Sequence, residues 1–110
     1  MIVFTLRMVA PRAQRHQLLH SLTVLLEPTR VQPGCTGCHL YADMENLSVF
    51  TFASEWESQA DLDRCLGSDA FKTVLAAMEL AVEAPEIHFD SVVRRAGLEV
   101  IAAARAPRIA

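Results

Sequence analysis

Four segments of this chain alternate apolar and polar residues with a period of two, and two longer segments repeat apolar residues with helical spacing. These two periods distinguish strands from helices. The strand-like segments are rich in β-branched and aromatic residues and span residues 2–9, 36–42, 48–55 and 86–93. The helical segments follow the first and the third of them. This order predicts an α+β domain of the ferredoxin-like split βαβ type, an antiparallel sheet with helices on one face.

The first helical segment begins after Pro11, a residue that suits the first turn of a helix. Leucines at helical spacing, among them Leu18 and Leu22, form its apolar side. We expect the helix to stop near Pro28, because proline cannot donate a backbone hydrogen bond. A short extra turn over residues 27–32 can then lead to the Pro-Gly turn that follows.

The second helical segment begins at Ser58, an N-cap residue with Asp61 three positions later. Gly67 interrupts this segment, and apolar residues continue at helical spacing from Phe71 to Val82. We therefore predict two consecutive helices between the third and the fourth strand.

The predicted strands carry apolar side chains at both odd and even positions, so both faces of the sheet need cover. The helices cover only one face. We therefore predict that a second copy of the chain covers the other, giving a homodimer through the sheet face. The residues on which this prediction rests are Phe4, Leu6, Val49, Phe50, Thr51, Phe52, Ile87, Phe89, Val92 and Val93.

The chain of 110 residues has the size of one domain with a single core. We assign residues 1–101 to this domain, with residues 97–101 as a short strand or arm. The Ala, Arg and Pro residues that follow lack any apolar period. We expect residues 102–110 to form a flexible C-terminal tail.

The formal net charge of −3 comes from 13 acidic and 10 basic residues, without a dense cluster of Lys and Arg. Nucleic-acid-binding proteins carry such a cluster, so we expect no nucleic-acid partner. No apolar run approaches the length that spans a bilayer, and the first residues lack the charged start of a signal peptide. We expect a cytoplasmic protein with no membrane partner.

Three cysteines are an odd number, which does not suit a secreted disulfide framework. Cys35 and Cys38 form a CxxC motif, but the motif leads into a strand rather than into a helix N-terminus, where a thiol pKa is lowered. On a regular strand these two positions point to opposite faces, which argues against a shared metal or an easy disulfide. We therefore expect small buried thiols and no metal site.

The four histidines fall into two groups. His16 and His20 lie one helical turn apart without a third ligand, so we interpret them as solvated helix residues. His39 and His88 lie within predicted strands. Each is either a structural histidine that is buried and hydrogen bonded, or a general base.

The only tryptophan, Trp56, stands where the third strand meets the second helical segment. It is either a core aromatic at this corner or a ligand wall with an indole N–H donor. Phe50, Phe52 and Ser54 share its strand face, which would look toward Leu62, Cys65 and Phe71 if helices cover it. This face is either an aromatic pocket or simply core.

The segments PGCTGCHLY, EWES and DLDRCLGSDAF at residues 33–41, 55–58 and 61–71 resemble the antibiotic biosynthesis monooxygenase-like (ABM) family. The resemblance extends over residues 1–100. It implies a dimeric α+β barrel of ferredoxin-like monomers. It also implies oxidation of an electron-rich quinol, phenol or anthrone by O₂ without a bound metal or flavin, in a pocket between sheet and helices.

The chain departs from this family at two positions where family members often have histidine and this sequence has Cys65 and Ala70. If the protein is a monooxygenase, its proton acceptor must therefore come from elsewhere. The candidates are His39, His88 and Glu55.

For the substrate site, the resemblance implies Trp56 and Tyr41 as hydrogen-bond donors, with Phe52, Cys65 and Phe71 as further contacts. An alternative function is that of a barrel without catalytic activity that binds a small ligand or has a structural role. The presence of a titratable residue in the pocket would distinguish the two functions.

Overall fold

The computed structural model of the protein describes residues 1–107, with four strands and five helices. The strands are β1 (Ile2–Val9), β2 (Cys35–Ala42), β3 (Val49–Trp56) and β4 (Glu86–Ser91). The helices are α1 (Arg15–Thr23), α2 (Leu26–Arg30), α3 (Gln59–Leu66), α4 (Phe71–Glu79) and α5 (Leu98–Arg105). A single 3₁₀ turn, Arg12–Gln14, precedes α1.

The four strands form one sheet in the order β2, β3, β1, β4, and every neighbouring pair is antiparallel. Each helical connection therefore joins two strands that have a third strand between them. At the centre of the sheet Leu6 lies opposite both Phe52 and Ile87. This topology confirms the predicted ferredoxin-like split βαβ fold.

The hydrophobic core lies between one face of the sheet and the helices. Alternate residues of β1 and β3 point to this helix-covered face, because successive side chains of a strand point to opposite sides. Phe4, Leu6, Phe52 and Trp56 are at most 3% exposed. The helices contribute residues that are similarly buried, namely Leu18, Leu22, Leu62, Val74 and Ala77.

The predicted two-sided pattern holds only in part: Phe4, Leu6, Phe50, Phe52, Ile87 and Phe89 all point to the helix-covered face, whereas Val49 and Thr51 point to the other side. Ile87 and Phe89 lie opposite Leu6 and Phe4 and share their face. Val93 follows the end of β4. The other side, here called the open sheet face, carries small, hydroxyl and charged side chains together with three valines and a tyrosine: Val3, Thr5, Arg7, Val9, His39, Tyr41, Val49, Thr51, Ala53, Glu55, His88 and Asp90.

The first helical segment does not stop at Pro28, because this proline lies in the first turn of α2. In the first turn its missing N–H leaves no hydrogen bond unmade. A turn at Val24 and Leu25 separates α1 from α2. The expected extra turn after the first helix is therefore α2 itself.

The two helices between β3 and β4 form as predicted. The Ser58 hydroxyl oxygen accepts the Asp61 N–H at 3.2 Å at the start of α3, and Gly67 ends this helix. Helix α4 begins at Phe71 and ends at Glu79, three residues earlier than the apolar period indicates. The Val82 N–H instead donates to the Val9 carbonyl of β1.

A β-bulge at the start of β2 changes the direction of one cysteine. Cys35 lies opposite Trp56, and Cys38 lies opposite Ser54, with the register shifted between Cys35 and Gly37. Trp56 and Ser54 both point to the helix-covered face, so both thiols do as well. The prediction that these cysteines point to opposite faces was wrong, because it assumed a regular strand without an inserted residue.

A helix rather than a strand follows β4: α5 runs across the boundary at residue 101 where we expected the tail to begin. All of its residues are exposed. The described chain measures 59 × 35 × 22 Å, with a radius of gyration of 17.0 Å. A compact domain of this length has a radius of gyration of about 13 Å, so this chain is more extended than a compact domain.

The last three residues of the expected tail, 108–110, lie outside the described residues. No helix within residues 1–107 is long and apolar enough to cross a membrane.

We predict that Gly34→Ala lowers the free energy of unfolding by about 2 kcal/mol or more. Gly34 has φ +82°, and an added Cβ would lie 2.6 Å from the Cβ of Asp61. The matched control is Gly67→Ala, because Gly67 has φ −87° and its added Cβ meets nothing closer than 3.5 Å. Urea unfolding followed by circular dichroism measures both. Equal midpoints for the two variants would contradict the prediction.

Candidate functional site

A small cavity lies between the helix-covered face of the sheet and the helices. Its volume is about 10 Å³, close to the smallest that holds one water molecule. Side chains from β1, β3 and α2, from α3 and α4 and from the segments beside them enclose it. They are Phe4, Leu25, Thr29, Gln32, Phe52, Ser54, Leu62, Cys65, Leu66, Ser68, Ala70, Phe71 and Val74.

Three aromatic rings dominate the apolar part of the wall. Phe4 and Phe52 point up from the sheet and are buried, whereas Phe71 is half-buried at the start of α4. The rings of Phe4 and Phe71 meet edge to face, with centroids 5.8 Å apart and planes inclined by 66°. Edge-to-face contact is a favourable arrangement for aromatic rings. The cavity therefore has an aromatic wall suited to a flat apolar ligand.

The polar group deepest in this wall is the Ser54 hydroxyl. Ser54 is 2% exposed, and its Oγ accepts a hydrogen bond from the Trp56 indole N–H at 2.9 Å. Since Oγ is the acceptor in this bond, the Ser54 O–H remains able to donate to a ligand. Trp56 thus orients a buried hydroxyl group at the cavity.

The outer wall is the short junction between α3 and α4. The Ser68 hydroxyl donates to the Cys65 carbonyl at 2.6 Å, and its oxygen accepts the Phe71 N–H at 3.4 Å. Leu66, Ser68, Ala70 and Phe71 are only partly buried. This junction is therefore the part of the wall that lies nearest to solvent.

The thiols beside the cavity are held in the protonated form. Burial, with a smaller effect from the charge of Cys35, raises the pKa of the Cys65 thiol, although a hydrogen bond from Gln32 opposes the shift. Burial and the same neighbouring charge raise the pKa of Cys38 to about 12. A thiol with such a pKa is neutral at pH 7. Cys65 therefore supplies a polarizable wall group rather than a base.

The sequence model of the antibiotic biosynthesis monooxygenase (ABM) family matches residues 1–77, more than half of the chain. The chain belongs to the ABM family. Among curated proteins, none matches this sequence. The matched residues include β1, β2 and β3 and all of the residues that line the cavity.

Solved structures share the fold of this ABM chain. An antibiotic biosynthesis monooxygenase is 21% identical, has a TM-score of 0.77 and aligns over 86% of this chain and 100% of its own. Rv0793 from Mycobacterium tuberculosis is 20% identical, with a TM-score of 0.79 over 87% and 98%. PA3566 from Pseudomonas aeruginosa is 19% identical, with a TM-score of 0.74 over 84% and 94%. At these identities the likeness shows the fold alone.

Three of the five predicted substrate contacts line the cavity of this ABM protein: Phe52, Cys65 and Phe71. Trp56 is fully buried behind Ser54, to which it donates its N–H. Tyr41 lies on the open sheet face and is 55% exposed. The structure therefore brings together the contacts from β3, α3 and α4, but not Tyr41.

The three predicted proton acceptors lie on the opposite side of the sheet from the cavity. His39 lies opposite Ala53, His88 opposite Thr5, and Glu55 opposite Val3. None of the three acceptors lines the cavity. The Glu55 carboxylate accepts a hydrogen bond from Arg95 at 3.2 Å.

Three polar residues of the cavity wall were not predicted from the sequence: Thr29, Gln32 and Ser68. Ser54 was placed on the pocket-facing side of its strand, as the only hydroxyl in the series Phe50, Phe52, Ser54, Trp56, but without a role as a donor. Thr29 and Gln32 carry no such signal, since their position depends on how α2 packs. Within residues 1–107 no group of three His, Cys, Asp or Glu side chains is arranged to hold a metal ion.

We predict that the buried Cys38 thiol makes the protein less stable as the pH rises above 9. The pKa of this thiol rises from 9.0 in the unfolded chain to about 12 in the folded protein, so above pH 9 the unfolded chain releases a proton that the folded chain keeps. The free energy of unfolding should then fall by about 1.4 kcal/mol per pH unit through this group.

The free energy of unfolding is measured by urea unfolding at pH 8, 9, 10 and 11, and its change with pH is the slope. Cys38→Ala should remove the part of this slope that is due to the Cys38 thiol, whatever its effect on stability at pH 7. An unchanged slope in Cys38→Ala would show that the thiol does not titrate in this way.

Proposed function

We propose that this ABM protein binds a small electron-rich aromatic molecule of the quinol, phenol or anthrone type in the cavity and oxidises it with O₂, without a cofactor. One observation carries the proposal: an aromatic cavity with a buried, oriented hydroxyl donor lies between the sheet and the helices. Family membership supports the same chemistry. The proposed ligand contacts are Phe4, Phe52, Phe71 and Ser54.

In this reaction the substrate itself is the reductant. An anthrone-like CH₂ group loses its proton to water, the resulting carbanion transfers electrons to O₂, and a carbon–oxygen bond forms. Loss of water then breaks the O–O bond, so R₂CH₂ and O₂ give R₂C=O and H₂O. The Ser54 O–H would donate a hydrogen bond to the substrate oxygen, which favours the anion. The aromatic wall would exclude water.

The cavity must widen to take such a substrate. Its volume of about 10 Å³ is far below the roughly 300–1,000 Å³ of pockets that hold drug-sized ligands. The partly buried junction between α3 and α4 is the segment of the wall nearest to solvent, and it would have to move outward when a ligand enters. We infer that the ligand passes between Phe71 and this junction.

A second candidate function is ligand binding without catalysis. The observation that favours it is the composition of the wall, which includes no histidine and no carboxylate. An oxygenase at this site would need a substrate that arrives ionised or that loses its proton to water. His39, His88 and Glu55 could act only on a ligand bound at the open sheet face.

Oxygen consumption with a panel of naphthoquinols and anthrones tests the site. Replacing Ser54 with Ala should lower the rate about tenfold, as expected for one lost hydrogen bond of about 1.4 kcal/mol. His39→Ala, on the open sheet face, should leave the rate unchanged. If His39→Ala lowers the rate and Ser54→Ala does not, the reaction takes place at the open sheet face instead.

Binding is measured in parallel by the shift in melting temperature that each compound causes. Compounds that stabilise wild type but not Ser54→Ala, without any oxygen uptake, would favour the second function. No stabilisation and no oxygen uptake with any compound would contradict both.

We also infer a homodimer that packs through the open sheet faces. The support comes from two surfaces that the described part of the chain leaves uncovered. Val3 and Thr5 are half-buried residues at the centre of the open sheet face. Helix α5 has eight residues and exposes Leu98 and Ile101, and an isolated helix of this length is unstable in water. A second copy would cover both surfaces.

For this dimer we predict that Thr5→Lys produces monomers. Thr5 lies between Ala53 and His88 at the centre of the open sheet face, and a lysine there would place like charges against each other across a two-fold interface. Sedimentation equilibrium measures the molecular mass. Ala76→Lys, on the exposed side of α4, is the control and should remain dimeric. A monomeric wild-type protein would contradict the proposal.

A further inference from the structure

All three thiols of the chain are free and converge where β2 begins. The bulge at Thr36 turns Cys35 toward the helix-covered face, on which Cys38 also lies. Cys65 reaches the same region from α3. The charge on a Cys35 thiolate would act on both of the other thiols. We call these three residues the cysteine cluster.

Two contacts bring Cys35 close to Cys65 in particular. Gly34 packs against Asp61 of α3, and Cys65 follows Asp61 by one helical turn on the same side of the helix. Gln32 lies beside the same two cysteines, since its carbonyl accepts the Cys35 N–H at 3.1 Å and its side chain is near enough to the Cys65 thiol to lower the pKa of that thiol. The start of β2 therefore packs directly on the middle of α3.

Cys35 and Cys65 differ in how accessible they are to a reagent in solution. Cys35 is half-buried and lines an open groove of about 320 Å³ together with Arg30, Thr36, Gly37, Cys38 and His39. Cys65 is 7% exposed and does not line this groove. A small reagent in the groove therefore reaches Cys35 before it reaches Cys65.

We propose that Cys35 and Cys65 are a redox pair that a hydroperoxide converts into a disulfide. The Cys35 thiolate attacks a peroxide oxygen, the O–O bond breaks, and Cys35 becomes a sulfenic acid as water or an alcohol leaves. The Cys65 sulfur then attacks the Cys35 sulfur, the S–O bond breaks, and a water leaves. Together the two thiols give up two electrons and two protons, which the peroxide takes up.

Cys65 is the better partner for two reasons. Cys38 lies on the same strand as Cys35, with an inserted residue between them, whereas Cys65 approaches from a facing helix. Disulfides need closely spaced Cα atoms with converging Cβ directions. Cys38 is in addition completely buried, whereas Cys65 is 7% exposed.

The disulfide would tie α3 to the start of β2 at the wall of the cavity, because Cys65 is one of the lining residues. It would therefore hold α3, and with it the adjoining junction to α4, against the sheet when a ligand enters. The disulfide reaction goes beyond the proposed oxygenation and does not depend on it, because it requires only the peroxide, whereas its effect on ligand entry rests on the proposed function.

The test treats the reduced full-length chain with hydrogen peroxide at pH 8, then alkylates it under denaturing conditions and measures the intact mass. Wild type should go from three alkylated thiols to one, and peptide mapping should join Cys35 to Cys65. Dithiothreitol should restore all three. The reaction should be faster at pH 9 than at pH 7, because burial raises the pKa of Cys35 and only the thiolate reacts.

Three variants make the assignment specific. Cys38→Ala is the matched control and should lose both remaining thiols on oxidation. Cys65→Ala should stop at a sulfenic acid that dimedone traps on Cys35, and Cys35→Ala should keep both of its thiols. Melting temperatures confirm that each variant is folded, with Ser used at position 65 if Ala is not tolerated. Three free thiols in treated wild type, a link from Cys35 to Cys38, or a link between two chains would each overturn the proposal.

Discussion

The burial of one face of the sheet is the constraint on which the rest of this structure depends. Leu6 and Phe52, at the centre of the sheet, point to the same side and are almost completely buried. The amphipathic helices pack on that side, because it presents most of the large apolar side chains of the sheet. Their packing on the sheet encloses the cavity. It also leaves an open sheet face of hydroxyl, charged and histidine side chains.

This division separates the chemistry of the protein into two regions. The helix-covered side supplies phenyl rings, a buried hydroxyl group and protonated thiols, which suit the binding of a flat apolar ligand. The open side carries His39, His88 and Glu55, the three predicted proton acceptors. The sheet stands between them. An oxygenase at the cavity would therefore need a substrate that is acidic enough to ionise without a basic side chain beside it.

The bulge at the start of β2 decides where Cys35 lies relative to the other two thiols. One inserted residue rotates Cys35 onto the face that already holds Cys38. Gly34, next to it, takes φ +82°, which allows the chain to pass close to Asp61 of α3. The two features together place a partly accessible thiol beside the buried Cys65. The CxxC spacing is therefore less informative than the contact between the start of β2 and α3.

The sequence by itself determined the order of the elements, the antiparallel ferredoxin-like fold and the family, because these depend on local periodicity, on caps such as Ser58 and on residues matched position by position. It also indicated that Phe52, Cys65 and Phe71 come together. Only the tertiary structure decided which face each cysteine takes, that His39 and His88 lie away from the cavity, that Thr29 and Gln32 line it, and that α5 replaces the expected strand. Each of these depends on strand register, a bulge or helix packing, which follow from contacts between residues distant in the chain and leave no local period to read.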